Sequence, residues 1–425
     1  MYDFDTILNR RGTNSEKWNV APGELPMWVA DMDFRTAPEI IDAVTRKADS
    51  GVYGYTSVPP EFAKAIASWW YKRHAWEVDP AWVSYALGVV PAISSLIRTF
   101  TKSSGNVLVQ TPVYNMFFNC IRNSGRKAVT NDLVYENGEF RIDWEDLEAK
   151  LADPKTSLFI LCNPQNPTGQ VWSREDLARM GQLAAANDVV VIADEIHCDL
   201  TTPGIRYIPF ASIDETCANN AITLVSPTKA FNIPGLQTSA VIASNEDLRG
   251  QARQSLRRDD LNEPNAFAIE AAIAAFTKSQ RWLDELRVYI HRNKEQLTDF
   301  LARNLPQLYV VPSQATYLPW VDFSAIVDDT TELTEFIRKE TGLFINPGAL
   351  YGDNGKAFVR INVACPSAVL QDGLYRLRTG IDAWVARAEE TKREGAPEDA
   401  SEGQAQQDTL LSVRGGRDER KPHIL

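Results

Sequence analysis

Lys229 is a residue whose position could serve covalent chemistry. It follows the apolar run at 222–225 through Ser226, Pro227 and Thr228. If that run is a strand of a parallel sheet, the lysine lies at the carboxyl edge, where ligands of open α/β sheets bind. Desolvation lowers the pKa of an amine there, so the amine can act as a nucleophile or base. The Ser-x-x-Lys spacing alone is weak evidence, since lysines near strand ends are usually solvated.

Two other polar residues follow apolar runs in the same way. Asp194 comes directly after the run at 189–193, and Asn166 lies in the turn Asn-Pro-Gln-Asn-Pro-Thr-Gly that follows the run at 158–161. Asp194 could merely cap a helix, and the turn could be only a turn. Together with the lysine, however, they supply what a pyridoxal phosphate (PLP) site needs. These are an amine for the cofactor aldehyde, a carboxylate for the pyridine nitrogen and an amide for the ring oxygen.

The segments that must position these residues predict an α/β fold. Between residues 106 and 241, short β-branched runs alternate with amphipathic stretches, a pattern typical of parallel strands buried on both faces. Helices are predicted at 38–47, 60–73, 143–151, 174–187 and 281–304, several of which open with Pro or a polar cap. Further strands and helices after residue 304 indicate a smaller α+β unit. We therefore expect a large, mainly parallel-sheet α/β domain and a smaller α+β domain.

The domain boundaries follow from the same pattern. Residues 1–45 are expected to join the small domain, 46–290 to form the large domain and 291–387 to form the small domain. Residues 388–425 contain no aromatic residue and are rich in Glu, Gln, Gly, Arg and Asp. Such a composition cannot bury enough surface to offset the entropy of ordering, so this segment is predicted to be a disordered tail.

Composition narrows the classes of function. The chain has 425 residues and a formal net charge of -12, which disfavours a nucleic-acid partner. Its five cysteines are scattered without a C-x-x-C spacing, which argues against a disulfide framework or a zinc site and fits the cytoplasm. No apolar run is long enough to span a bilayer, and neither an H-E-x-x-H, a G-x-G-x-x-G nor a Walker motif is present. We expect a cytoplasmic protein with a small-molecule substrate, no metal and no membrane contact.

The motifs in their order resemble a known superfamily. Asn-Pro-x-Asn-Pro-Thr-Gly, Ala-Asp-Glu-Ile-His and Ser-x-x-Lys are similar to those of the fold-type-I aminotransferases. Trp-Val-Ala-Asp-Met-Asp-Phe at 28–34, Tyr-Gly-Tyr-Thr at 53–56 and Lys-Ala-Phe-Asn-Ile-Pro-Gly-Leu at 229–236 resemble, more narrowly, the MalY/PatB branch of cystathionine β-lyases. The likeness covers roughly residues 1–385. It implies a fold-type-I PLP enzyme that cleaves L-cystathionine or another L-cysteine S-conjugate to a thiol, pyruvate and ammonia. Homocysteine would be the thiol from cystathionine.

The resemblance also implies roles around the cofactor. Amides at the start of a helix, at Val90 and Ala92, would hold the phosphate, and the hydroxyls of Ser226 and Thr228 would add to that cradle. Tyr114 would stack on the pyridine ring, although it could instead be a core aromatic. An arginine that many superfamily members carry eight residues after the lysine is replaced by Gln237. The phosphate should therefore depend more on amides and hydroxyls.

Further residues are implied for the substrate and for a second subunit. Arg360 matches the arginine that binds the substrate α-carboxylate, and Ala30 lies in a segment expected to line the substrate pocket beside Asn166. His197 stands where many aminotransferases place a tyrosine against the ring oxygen, but it could equally be a structural histidine. Tyr55 resembles the tyrosine that reaches the phosphate of the neighbouring subunit, which implies a homodimer with shared active sites. Tyr55 could instead only pack a turn.

Two other functions are left open by the sequence. A PLP-dependent aminotransferase that acts on an amino acid and a 2-oxo acid would use the same cofactor contacts. A regulatory role through protein contact is known for a MalY-type lyase, but no sequence feature here indicates the necessary surface.

Overall fold

The structure is a computed structural model and describes residues 2–394. Its strands in chain order are β1 (Leu25–Pro26), β2 (Val83–Ala86), β3 (Asn106–Thr111), β4 (Lys127–Asp132), β5 (Val134–Glu136), β6 (Glu139–Arg141), β7 (Thr156–Cys162), β8 (Val190–Asp194), β9 (Ala221–Val225), β10 (Ser239–Ile242), β11 (Tyr309–Val310), β12 (Trp320–Asp322), β13 (Leu343–Phe344), β14 (Asn346–Pro347) and β15 (Phe358–Arg360). Its α-helices are α1 (Pro38–Asp49), α2 (Pro60–His74), α3 (Val89–Phe100), α4 (Met116–Asn123), α5 (Trp144–Leu151), α6 (Arg174–Ala186), α7 (Glu215–Asn219), α8 (Pro227–Ala230), α9 (Glu246–Arg258), α10 (Ala268–Lys278), α11 (Gln280–Asn304), α12 (Thr331–Thr341) and α13 (Ser367–Glu394). Short 3₁₀ turns lie at Pro80–Trp82, Cys198–Leu200, Phe210–Ser212, Pro234–Leu236, Gly348–Tyr351 and Asp353–Gly355.

A seven-stranded sheet in the order β2-β10-β9-β8-β7-β3-β4 forms the centre of the fold. β9, β8, β7, β3 and β4 run parallel, whereas β10 pairs antiparallel with both β9 and β2. The predicted mainly parallel α/β sheet is confirmed. The reversed strand was not predicted; it returns from β9 through a connection whose only α-helix is the four-residue α8, too short for the usual crossover to a parallel neighbour.

Both faces of this sheet are covered, which explains the continuous apolar runs. Every residue of β3 and β9 is buried. Leu108 and Phe159 belong to the apolar cluster on one face, whereas Val107, Val109 and Ile160 belong to the cluster on the other. Because successive side chains of a strand point to opposite faces, a strand between two helix layers must be apolar at each position.

The predicted helices correspond to α1, α2, α5, α6 and α11, with ends that agree closely. Local sequence explains several starts. Asp143 caps α5 by accepting from the amide of Asp146, and Ser173 forms a capping box with Asp176 at the start of α6. Pro38 and Pro60 begin α1 and α2, where a missing N–H has no cost.

A second sheet, in the order β11-β12-β15-β14, brings Arg360 to the site. The predicted domain boundary at residue 290 falls inside the continuous helix α11, and residues up to Ile381 form one compact unit. A second unit begins at Asp382. The last helix continues to Glu394, past the predicted start of the tail at 388, because its Glu, Lys and Arg residues are good helix formers. The remainder of the predicted tail lies outside the described residues.

Within residues 2–394, no helix combines the length and the apolarity needed to cross a membrane.

Candidate active site

A cavity of about 300 Å³ opens at the carboxyl edge of the large sheet. Lys229, Asp194 and Asn166 line it together because β9, β8 and β7 are parallel neighbours that end at the same edge. Predicted site residues Ala30, Val90, Tyr114, His197 and Thr228 also line this cavity, as do Leu87, Gly88, Val89, Pro91, Cys162, Ile196, Pro234, Gln237 and Thr238.

The side chain of Lys229 lies inside the pocket with a depressed pKa. Its Nζ donates to the main-chain carbonyl of Ala30 at 2.7 Å. Burial and then the charge of Arg360 lower the amine pKa to about 8, while Asp31 and Asp194 act in the opposite direction. A larger fraction of the amine is therefore unprotonated near neutral pH than in an exposed lysine, which favours nucleophilic attack and proton abstraction.

Asp194 is a buried carboxyl group with few partners. Its Oδ1 accepts from the amide of Ile196 at 3.2 Å. Burial raises its pKa to about 7, although the Ile196 amide and the charge of Lys229 partly oppose this. A buried carboxylate is stabilised by a cation placed against it, and a protonated pyridine nitrogen is such a cation.

Arg360 does not line the cavity itself but is hydrogen-bonded to Asn166, which does. Arg360 Nη1 donates to Asn166 Oδ1 at 3.3 Å, and Arg360 Nη2 donates to the carbonyl of Trp28 at 3.0 Å. The guanidinium lies over the ring of Tyr351, with 4.7 Å between Cζ and the ring centroid. Since the Asn166 oxygen accepts from Arg360, the NH₂ group is the end of the amide that can donate to a ligand.

The start of α3 offers free amides, but not the predicted pair. The Ala92 amide donates to the Gly88 carbonyl at 3.1 Å, so it is already used by the helix, and Pro91 has no N–H. The prediction for Ala92 is corrected: the fourth residue after the cap already has its intrahelical partner, and the unpaired amides belong to Val89 and Val90.

Two hydroxyl groups lie at the start of α8. Ser226 Oγ and Thr228 Oγ1 are 2.7 Å apart, and Ser226 Oγ also donates to the Thr238 carbonyl at 2.7 Å. Ser226 caps α8 by accepting from the amide of Thr228. Because Ser226 is buried and fully engaged, it holds Thr228 in place, whereas Thr228 is the hydroxyl that lines the cavity.

Three buried polar atoms in or beside the pocket lack a partner among the described residues. They are Arg360 Nε, His197 Nδ1 and Thr238 Oγ1. Buried polar groups are normally hydrogen-bonded, and His197 and Thr238 both line the cavity, so the unpaired atoms of these two residues indicate a polar ligand there. A cofactor that carries polar groups would give these two atoms hydrogen-bond partners.

Tyr114 and His197 bring ring systems to the cavity. Tyr114 packs edge-on against Phe117, and burial raises its pKa to about 12. Burial, followed by the charges of Lys229 and Arg360, lowers the pKa of His197 to about 3. The imidazole is therefore neutral at physiological pH and can donate from one nitrogen and accept with the other.

Tyr55 is the predicted site residue that lies apart from the pocket. Its side chain is fully exposed, in a segment without helix or strand. It lines a separate surface groove together with Gln237, which also faces the active-site cavity. Within one chain, Tyr55 has no role in the pocket.

Two neighbours of the pocket were not identified from the sequence. Thr238 directly follows Gln237, and its buried hydroxyl could only be recognised once the return of β10 was known. Tyr317 is buried, and its hydroxyl donates to the Ala30 carbonyl at 3.0 Å. This contact joins residues far apart in the chain, and no local motif signals it.

A buried group outside the pocket has metal-ligand chemistry, but its histidine and its carboxylate are already hydrogen-bonded. The ligand atoms of His74, Cys198 and Asp199 lie within 4.8 Å of one another. The Asp199 carboxylate already accepts from Arg73 at 3.0 Å, His74 at 2.9 Å and Trp69 at 2.9 Å. We interpret the group as an ion-pair network that anchors the segment after His197.

The chain resembles known proteins over most of its length. The model for the family "Aminotransferase class I and II" matches residues 26–377. The sequence is 42% identical over 386 residues to cystathionine β-lyase PatB of Bacillus subtilis, covering 89% of this chain and 100% of PatB. It is 34% identical to protein MalY of Escherichia coli, covering 90% of this chain and 100% of MalY. The PLP-bound C-S lyase of Staphylococcus hominis superposes with a TM-score of 0.83 at 33% identity, covering 89% of this chain and 98% of that one.

Proposed function

The chain belongs to the class I and II aminotransferase family, in its MalY/PatB branch, and from that premise we propose that it is a PLP-dependent carbon–sulfur β-lyase. Its substrate is L-cystathionine or a related L-cysteine S-conjugate. The observation that carries this proposal is that Lys229 and Asp194 line one cavity, and that Arg360 is hydrogen-bonded to Asn166 in its wall, in a chain whose relatives are named as lyases. Those names favour elimination over transamination, the other reaction open to the same residues.

One group of residues would hold the cofactor, and a second group would bind the substrate and move its protons. Asp194 would pair with the pyridine nitrogen, while the Asn166 amide and the neutral His197 would serve the ring oxygen. The Val89 and Val90 amides, with the Thr228 hydroxyl, would hold the phosphate. When bound, PLP withdraws electrons from the substrate Cα and so makes its proton acidic.

The residues of the chain then perform the proton and binding steps. Arg360 binds the α-carboxylate through two N–H groups and so fixes the orientation of the amino acid. Lys229, once its amine is free, removes the Cα proton as a general base. The bond between Cβ and sulfur breaks with its electron pair leaving on sulfur, and the thiolate takes up a proton to give the thiol. Water then hydrolyses the three-carbon remainder to pyruvate and ammonia.

We expect replacement of Arg360 to weaken substrate use without removing the cofactor. Arg360→Leu loses two charge-assisted hydrogen bonds and should lower kcat/KM by about 10²–10³-fold, with Arg360→Lys intermediate because it lacks the planar pair of donors. Steady-state kinetics with L-cystathionine measure this effect. Arg303→Leu, at an exposed position of α11, is the matched control. Equal losses in the Arg303 and Arg360 variants would refute the assignment.

We also propose a homodimer in which each subunit completes the site of the other. Tyr55 and the neighbouring Val52 and Tyr53 are exposed, which is unusual for a group of large apolar side chains. The pocket offers amides and hydroxyls to a phosphate, but the position at which many superfamily members carry an arginine is the neutral Gln237. A hydroxyl from the partner subunit would add a donor at this point.

Tyr55→Phe should therefore weaken PLP binding by about tenfold, the effect of one hydrogen bond to a charged group. Equilibrium dialysis of PLP against the cofactor-free protein measures the change. Tyr71→Phe, which removes another exposed hydroxyl, is the control and should bind PLP like the wild type. A monomer by light scattering, or unchanged affinity in Tyr55→Phe, would contradict the shared site.

The cytoplasm is the expected compartment. The five cysteines are unpaired and buried, as in proteins kept in a reducing environment.

Product analysis tests the proposed reaction. The purified protein is incubated with PLP and L-cystathionine, and separately with an amino acid and 2-oxoglutarate. Pyruvate and free thiol in the first incubation, without glutamate in the second, support the lyase. Glutamate formation without release of thiol would show that the chain is an aminotransferase instead.

A further inference from the structure

The main-chain carbonyl of Ala30 receives two donors at the edge of the pocket. Lys229 Nζ donates to it at 2.7 Å, and the Tyr317 hydroxyl donates to it at 3.0 Å. Burial raises the pKa of Tyr317 far above its usual range, so its hydroxyl is a neutral donor at any working pH. The hydroxyl thus touches an atom that the free lysine amine itself contacts.

The backbone around Tyr317 is held in an uncommon conformation. Thr316, a β-branched residue, has φ +67°, a region that such residues rarely adopt. The Thr316 amide donates to the Leu200 carbonyl at 2.9 Å, and the Tyr317 carbonyl accepts from the Val363 amide at 3.0 Å. Backbone strain of this kind persists where the surroundings enforce it and is concentrated at functional sites.

The segment that carries the Ala30 carbonyl is fixed by other contacts. Asn362 Nδ2 donates to the carbonyls of Val29 and Asp31, at 2.6 and 2.7 Å. The Arg360 contact with the Trp28 carbonyl adds a further restraint. Because these bonds hold the backbone on both sides of Ala30, the Tyr317 hydroxyl is not needed merely to keep the segment in place.

We propose that Tyr317 is a positioning residue for the amine of Lys229, acting through the Ala30 carbonyl. This inference rests on the proposed function, in which the amine is free when it removes the Cα proton. The hydroxyl occupies one lone pair of the carbonyl oxygen and draws electron density from it. The oxygen then stabilises an ammonium group less, so the neutral amine, which is the active base, is favoured.

The other groups that face the amine allow this effect to be isolated. The charge of Arg360 favours the neutral amine, while the carboxylates of Asp31 and Asp194 favour the ammonium form. His197 and Tyr114 also lie in the pocket but are neutral. Removing the Tyr317 hydroxyl changes none of these charges, so a shift in the titration of the amine reports the contact with Ala30.

The test follows capture of PLP by the cofactor-free protein, measured by absorbance at a series of pH values. Tyr317→Phe should move the midpoint of the pH–rate curve upward by about 0.5–1 unit, which slows capture about 3–10-fold below the midpoint. Replacement of Tyr317 by 3-fluorotyrosine, a stronger donor that keeps the packing, should move the midpoint downward. Tyr135→Phe, which removes a hydroxyl bonded to Asp322 at 2.9 Å outside the pocket, should leave it unchanged.

Each outcome decides between the alternatives. Opposite shifts for the two changes at position 317, with no shift in Tyr135→Phe, support the inference. If neither change at position 317 moves the midpoint of the pH–rate curve, and the wild type still captures PLP, the inference is overturned but the proposed function is not. A wild-type protein that captures no PLP overturns both.

Discussion

Lys229→Ala should reduce the release of thiol from L-cystathionine by at least about 10³-fold, since the base for the Cα proton and the covalent anchor are lost together. PLP should still bind without a covalent bond, because Asp194, Asn166 and the α3 amides remain. Borohydride treatment of the PLP-loaded protein, followed by peptide mass spectrometry, should place the cofactor mass on the peptide containing Lys229. The variant should show no such mass.

Lys294→Met provides the matched control for this experiment. Lys294 is also buried with a pKa lowered by burial, to about 7, but its amine donates to the Ala315 carbonyl at 3.1 Å, away from the cavity. This variant should keep the covalent cofactor. Labelling of Lys294 in the wild type, or retained turnover in Lys229→Ala, would mean that the wrong lysine has been assigned.

Asp194→Asn should lower turnover by about 10²–10³-fold, because a neutral amide cannot hold the pyridine nitrogen in its protonated form. The affinity for PLP should fall as well. Steady-state rates at saturating PLP separate the loss of chemistry from the loss of binding. A variant as active as the wild type at saturating PLP would show that the ring nitrogen does not depend on this carboxylate.

The same variant should be more stable than the wild type when the cofactor is absent. Burial raises the pKa of Asp194 to about 7 from an ordinary value of 3.8. Between pH 3.8 and pH 7, the carboxyl group therefore carries a proton in the folded state but not in the unfolded state. Stability therefore falls as the pH rises through this window, and the full cost of the buried charge is present above pH 7. The Tm of cofactor-free Asp194→Asn should exceed that of the wild type by a few degrees at pH 8, and the difference should vanish below about pH 4. A lower Tm for the variant at pH 8 would contradict this argument.

The sequence predicted those parts of the site that depend on local patterns. Lys229, Asp194 and Asn166 each follow an apolar run, and the rule that ligands bind beyond the carboxyl ends of parallel strands brings them together without knowledge of strand order. The sequence predicted the helix α3 but not which residue is its first. The free amides belong to Val89 and Val90 rather than to Ala92. A shift of one or two residues at a helix start is enough to change which N–H groups are unpaired.

Contacts between distant segments could not be predicted in this way. Tyr317 and Ala30 meet only because the segment before β12 packs against the segment before α1, and neither residue lies in a motif that indicates the other. The antiparallel return of β10, which brings Thr238 to the cavity, likewise depends on the tertiary arrangement. The role of Tyr55 stays a prediction because it depends on a second subunit. The division into two domains also stays a prediction.

The ratio of products from L-cystathionine in the presence of 2-oxoglutarate tests the central claim most directly. A carbon–sulfur β-lyase that uses Lys229 as the Cα base should release homocysteine, pyruvate and ammonia in equal amounts, with no glutamate. Glutamate that accumulates in proportion to the cystathionine consumed, without homocysteine, would contradict the account and identify the chain as an aminotransferase.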